Sequence, residues 1–395
     1  MTLLSRIYRR SVFNGVELSR ADAGVIKALA ILMIVAHNYF HQVEPFPGEN
    51  EMVFNAETFW NTVFQVAAHP FDALHPLASF FGHYGVHVFL FLSGYGLTKK
   101  ALSVAAKTGG LSFGDLWRLS GNQIAKIVSL TLIGVTVLCL YKFMAWGSLP
   151  DAAFFWKYLT FLSFTENLRP GAFGWFVTVW WFMALIVQFY LLFPFIYRGV
   201  TRHPMLTLAV GVMCQALAAY VYQPLLDRHV LVYATPLGQM GLFMLGAYLA
   251  TGRRLSRWIV LPLAALMPLT FVHPGAFHLS FLSVTTVLML AYGLVREKLV
   301  NCKTLVWIGG MSMFVYIVHG DLRWQILPIV NETKNLWFSY IVFFGYLAEV
   351  FGFALVARWL ANRTGIMRLQ PFSRRSSTGA DRETASVLRP SLQGE

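Results

Sequence analysis

The sequence predicts an all-α fold, a polytopic transmembrane bundle of about ten helices with both termini in the cytoplasm. Three observations carry this. Hydrophobic residues make up 57% of the 395 positions and charged residues 12%, about half the charged share of an ordinary globular chain. Uncharged apolar runs recur from the N-terminal region almost to the C-terminus. Lys and Arg collect in every second loop between those runs, the bias that orients membrane helices.

Apolar windows of roughly 20 residues fall near 23–40, 77–97, 124–145, 174–197, 204–223, 232–251, 257–272, 277–295, 304–321 and 336–358. No small-residue cleavage site follows the first run, so it is expected to remain as a helix and not to leave as a signal peptide. The chain then divides into a cytoplasmic segment at 1–22, a membrane domain at 23–360 and a tail at 361–395. The tail is rich in Ser, Arg, Thr and Gly and buries too little apolar surface to offset its ordering entropy, so disorder is expected there.

Basic clusters stand before the first helix (Arg6, Arg9, Arg10, Arg20) and after the second (Lys99, Lys100, Lys107, Arg118). They return at Arg198 and Arg202, at 253–257, at 296–303 and at 358–368. The longest loop of the other set, 41–76, holds Glu44, Glu49, Glu51, Glu57 and Asp72 with no Lys or Arg. The formal charge of +13 is therefore a mark of topology and not of a nucleic-acid partner. Cys139, Cys214 and Cys302 have no CxxC spacing and imply neither a disulfide framework nor a zinc site. No internal repeat of the kind that builds secondary transporters is visible.

Ionisable side chains at membrane depth are costly and usually face a bundle interior or a wet cavity. His37, His83, His87 and His319 fall at the same predicted depth, toward the outer side, and His37/His41 and His83/His87 each lie one helical turn apart. Such histidines either bond backbone carbonyls between helices or act together. Ligation of a metal is the competing reading, but no Cys or carboxylate at helical spacing joins the pairs, so no metal centre is expected. Glu349 is the sole carboxylate well inside the last run and reads as a structural partner. Lys27 is placed to snorkel to the cytoplasmic surface.

Several segments resemble acyltransferase family 3, multi-spanning enzymes that O-acylate sugars and related molecules. The run Lys27 to His37 resembles the family's basic residue, apolar stretch and histidine, although it encloses nine residues where the family usually has ten after an Arg, and Asn38 stands in the usual place. Gly85-Val86-His87-Val88-Phe89-Leu90-Phe91-Leu92-Ser93-Gly94-Tyr95 is similar to the element Gly-x-x-x-Phe-Phe-x-x-Ser-Gly-Phe. Gly309-Gly310-Met311-Ser312-Met313-Phe314-Val315-Tyr316-Ile317-Val318-His319 is similar to Gly-x-x-Ser-x-x-x-Tyr-x-x-His. Trp181-Phe182 with the run Gln188 to Pro194 resembles the fourth-helix pattern, with Ile186 where Glu is often found, and Gly246 with Ala250 echoes a further helix. The resemblance extends over roughly 20–360.

It implies an acyl-CoA donor in the cytoplasm, acetyl-CoA above all, a carbohydrate acceptor on the outer side, and no bound cofactor beyond the donor. Lys27, Arg118 and Lys126 are then expected to attract the nucleotide phosphates, and His37 to take the hydroxyl proton as general base. Tyr316 or His319 would position the acceptor or meet the oxyanion. His87, Ser93 and Trp175 are expected beside the substrate; Trp60, Trp180 and Trp181 either stack on sugar rings or belong to the interfacial aromatic belt. Ser93 and Ser312 keep a covalent relay open. The expected setting is a bacterial inner membrane, with lipid, acyl-CoA and glycan as partners. A transporter or flippase for a lipid-linked sugar, or a non-catalytic assembly partner, is the reading from another class.

Overall fold

Ser19 and Asp22 start the first long helix by a reciprocal cap, the Ser19 hydroxyl accepting from the Asp22 N–H and the Asp22 carboxylate from the Ser19 N–H. In a computed structural model, which describes residues 3–44, 48–170, 178–368 and 370–372, all regular structure among the described residues is helical. A short α1 (Leu3–Arg9) precedes α2 (Arg20–Phe40), which matches the first expected span. The acidic stretch after it, read from sequence as a loop, folds into α3 (Ala56–Ala68) before α4 (Leu74–Phe81) and α5 (Tyr84–Thr108). A second Ser–Asp cap, Ser112 with Asp115, starts α6 (Phe113–Trp146), about a dozen residues earlier than hydropathy places it.

The rest follows the expected order: α7 (Ala152–Phe161), α8 (Trp181–Arg202), α9 (Pro204–Leu226), α10 (Pro236–Ala250), α11 (Arg257–Ala265) and α12 (Met267–Val272). The chain ends with α13 (Ser280–Leu299), α14 (Lys303–Leu322), a short α15 (Leu327–Thr333) and α16 (Leu336–Thr364). Each of the ten expected spans overlaps a helix. Among the described residues seven helices are long and apolar enough alone to cross a bilayer, or eight if α4 and α5 form one bent span. At 15 residues, α10 rises about 22 Å, short of the roughly 30 Å hydrocarbon core. The seventh expected span is broken at Leu266 into α11 and α12. Of the tail expected to be disordered from 361 onward, the first four residues close α16, a short helical turn follows at Ile366–Arg368, and residues 373–395 lie outside the described residues.

The outer faces of α9 and α16 carry Leu206, Met213, Tyr220, Trp337, Ile341 and Phe344 in exposed positions. A surface this apolar and continuous calls for lipid, so the protein is an integral multi-pass membrane protein.

Close backbone approaches fix the central helices. A Cβ on Gly309 would stand 1.9 Å from the Gly24 carbonyl oxygen, so α14 and α2 touch backbone to backbone. Gly94 and Gly246 do the same for α5 and α10, where a Cβ on either would meet a carbonyl oxygen of the other helix at 2.1 Å. Small residues at such crossings are how membrane helices pack without a hydrophobic driving force between them. Gly94, Gly246 and Gly309 lie in the segments that carry the family resemblance, so packing accounts for them without chemistry.

Gly82 sits at the 47° bend between α4 and α5. A Cβ there would stand 2.5 Å from His37 Cβ and from the Met33 carbonyl oxygen. The bend therefore passes directly against α2, and it sets His83 beside His37, with ring centroids 5.3 Å apart.

Candidate active site

Two cavities lie one beyond the other in the bundle, both walled by α2, α5, α8 and α14. The larger, about 570 Å³, is lined by His37, Asn38, Glu49, Glu51, Tyr316 and Arg323, with Lys157, Trp181, Asp321 and Trp324 around them. The smaller, about 310 Å³, is lined by Lys27, Lys100, Lys126, Ser93, Ser312 and Tyr190 among others. Lys27 and His37 are ten residues apart on α2, so about 15 Å separates the two ends along that helix. Phe182 walls the lysine cavity and packs edge-on against Tyr316, which lines the histidine cavity, at 5.7 Å between centroids. One aromatic pair thus has a ring on each cavity.

His37 is buried, and its Nδ1 lies 2.8 Å from the Ser79 carbonyl oxygen. A carbonyl only accepts, so Nδ1 carries the proton and Nε2 is left for chemistry. Nε2 faces the Glu49 carboxylate at 3.1 Å. Burial pushes the Glu49 carboxyl up, but the close approach of the His37 ring, with His41 and Arg323 nearby, outweighs that and holds it below the ordinary range. Glu51 has no such partner: burial, with the Glu49 charge added, raises its carboxyl well above the ordinary value. Two carboxyls on one short segment are thereby shifted in opposite directions. His41 stacks on His37 at 4.6 Å and its Nδ1 donates to the His37 carbonyl oxygen, so it backs the ring and braces it.

The remaining expected residues divide. Tyr316 lines the histidine cavity, but its hydroxyl donates to the Val179 carbonyl oxygen. His319 is fully buried with Nδ1 donating to the Tyr316 carbonyl oxygen at 2.9 Å, Nε2 unpartnered, and it is not among the residues lining the cavity. His87 is likewise set back, stacked on Phe281 at 4.3 Å and accepting at Nε2 from Gln239. Ser93 opens on the lysine cavity instead of the histidine one and donates to the Phe89 carbonyl oxygen at 2.8 Å. Lys27 and Lys126 line the lysine cavity together, whereas Arg118 is held in a surface ion pair with Asp115 at 2.9 Å. Trp175 lies outside the described residues. Trp181 lines the histidine cavity; Trp180 is fully buried, its indole N–H donating to the Ile317 carbonyl oxygen, and is packing.

Sequence reading missed Glu49 as the partner of His37, Lys100 as a third cation of the lysine cavity, and Arg323. The Arg323 guanidinium is buried in the cavity wall, held by the Asn38 carbonyl oxygen and side chain through Nη1, with Nε unpartnered. Asn38, which stands where the family motif usually has its histidine, is thus spent on Arg323, while His37 takes the cavity. A signal for Glu49 and Glu51 did exist: an acidic loop without compensating cations, following directly on a helix that ends in His37 and His41.

The protein is thus an all-helical membrane bundle with an imidazole in a polar cavity and three lysines in a neighbouring one. A family model described as an acyltransferase domain matches residues 21–357 of the chain, and the chain belongs to that family, acyltransferase family 3. The matched stretch runs from the start of α2 into α16, so it includes every residue of both cavities except Met367. No curated protein and no solved structure matches the chain.

Proposed function

We propose that the protein moves an acyl group, acetyl above all, from cytoplasmic acyl-CoA to a hydroxyl of an envelope or exported polysaccharide or glycolipid in a bacterial inner membrane. The observation that carries this is the pair of cavities. The lysine cavity is ringed by Lys27, Lys100 and Lys126, suited to the phosphates of the donor. The histidine cavity combines Trp181 and Trp324 with Glu49, Asp321, Lys157 and Arg323, an amphipathic lining suited to a sugar. In this reading the basic loops and both termini face the cytoplasm. The short α10 and the broken α11–α12 pair complete about ten passages.

A nucleotide cannot enter hydrocarbon, so only the acyl-pantetheine arm passes Phe182 toward His37. The acceptor hydroxyl takes the place of Glu49 at Nε2 of the neutral His37 ring, and its oxygen attacks the thioester carbonyl carbon while Nε2 takes its proton. The carbon–sulfur bond then breaks and the thiolate of CoA recovers a proton from the imidazolium. Glu49 beside Nε2 favours the imidazolium that forms, and the Ser79 carbonyl holds the ring in the needed tautomer. The Arg323 guanidinium, which lines the cavity, is the cation suited to the oxyanion, in preference to the Tyr316 hydroxyl, which is already engaged. Tyr316 and His319 act as positioning residues. The Phe182–Tyr316 partition supports transfer of a small group over passage of a whole lipid-linked sugar, which would need a continuous path.

The test is transfer from radiolabelled acetyl-CoA to envelope glycan in membranes, with His37→Ala at equal membrane abundance. Loss of label in the variant is expected. Persistence of full transfer would displace His37 from the mechanism, and absence of transfer with every donor tried, wild type included, would favour the transport reading.

A further inference from the structure

Three ligand-type side chains from separate stretches converge at one end of the histidine cavity: His37 late on α2, His83 at the bend before α5, and Glu49 from the acidic segment. One donor atom from each lies within 4.8 Å of the other two. Sequence spacing had excluded a metal because no carboxylate shared a helix face with the histidines; the chain supplies one from a loop instead.

His83 is the informative member. It is fully buried, lines the cavity, and neither ring nitrogen makes a hydrogen bond of normal geometry, although the Phe80 carbonyl lies in its vicinity. Acyl transfer as derived above gives it nothing to do. Buried polar side chains are rarely left without a partner, and an unfilled ion site is one of the few physical reasons. His37 is prepared in the way metal-bound histidines are: its far nitrogen donates to a carbonyl, which fixes the tautomer and the ring plane.

We propose that His37 Nε2, His83 and the Glu49 carboxylate form a binding site for one zinc-class dication, with the fourth position open to the cavity. Tetrahedral coordination at about 2.1 Å sets donor atoms roughly 3.4 Å apart. His37 and Glu49 already stand at 3.1 Å, so closure asks only for a shift of the His83 ring. Two imidazoles and one carboxylate suit zinc and its neighbours and disfavour Mg²⁺ and Ca²⁺, which take oxygen ligands. The cation takes the lone pair that His37 needs as a base, so, resting on the reading of His37 in acyl transfer, zinc reversibly inhibits the enzyme.

The experiment uses the full chain, purified in detergent and stripped with a chelator, then titrated with Co²⁺ as a visible reporter. Wild type is expected to show the ligand-field absorption of one tetrahedral cobalt per chain, bleached by one equivalent of Zn²⁺. His83→Gln and Glu49→Gln should each weaken binding by about 10-fold or more, while eluting as monodisperse protein. Each variant's transfer rate, compared with its own chelated rate, should become less sensitive to zinc. No cobalt absorption in wild type, or equal affinity in both folded variants, overturns the site. Metal binding without transfer from any donor leaves the site standing and refutes the acyltransfer reading; zinc-insensitive transfer by metal-loaded wild type overturns the proposed inhibition and with it His37 as the base.

Discussion

Gly309 and Gly310 are adjacent in sequence and both fall in the element that resembles the family, yet they should respond to Ala in opposite directions. At Gly309 a methyl carbon would stand 1.9 Å from the Gly24 carbonyl oxygen, and carbon essentially never sits closer than 3.0 Å to such an atom, so α14 and α2 must part by about 1.1 Å. Neither contact atom belongs to a flexible side chain, so the strain falls on two helix backbones, and overpacking of this kind costs about 1–3 kcal/mol. At Gly310 nothing lies within 4 Å of the new methyl group, and replacing a mid-helix Gly by Ala gains about 0.5–1 kcal/mol. The assay is thermal unfolding in detergent, followed by fluorescence-detected size exclusion. Gly309→Ala should melt lower than wild type and Gly310→Ala at or above it. The parting also moves His37 relative to Tyr316, so transfer by Gly309→Ala should fall at temperatures where it is still folded. Equal melting of the two variants would refute the backbone-contact reasoning, because flexibility or helix propensity alone treats the two glycines alike.

Loss of the general base in His37→Ala should lower turnover about 10²–10⁴-fold with little change in donor KM, read from initial rates in membranes. Lys27→Met and Lys126→Met should each raise the KM for acyl-CoA by about 10-fold or more, the worth of a charge-assisted phosphate contact, whereas Arg118→Met should change it less than about 2-fold because Arg118 is paired with Asp115 at the surface. Phe182→Ala opens the partition between the cavities and should raise acyl-CoA hydrolysis relative to transfer, measured as free CoA released per acyl group moved. Asp22 is fully buried and accepts from Arg296, Tyr292 and Ser19 at 2.7–2.8 Å, tying the start of α2 to α13. Asp22→Ala should therefore cost about 2 kcal/mol of stability, below the 3–5 kcal/mol of a fully buried pair because Arg296 is partly exposed, and the melting curve would show it.

What the sequence determined by itself is the membrane fold and its order of helices. Apolarity over a bilayer's thickness is a local property, and so are the caps at Ser19/Asp22 and Ser112/Asp115; each is written in residues that lie side by side. The same holds for His37, Lys27 and Lys126, whose places along their helices follow from counting. The meeting of these groups is not local. Helical periodicity tells which residues share a face but not which face meets which, so Lys100 turning into the lysine cavity, Trp181 into the other cavity and Trp180 into the core came only from tertiary packing. Loop residues carry no periodicity, and Glu49 reaches His37 only because the segment after α2 returns over the cavity. Arg118 shows the converse: a cation well placed in sequence was claimed by the nearer Asp115, a competition settled by distances of a few ångströms that composition and spacing do not encode.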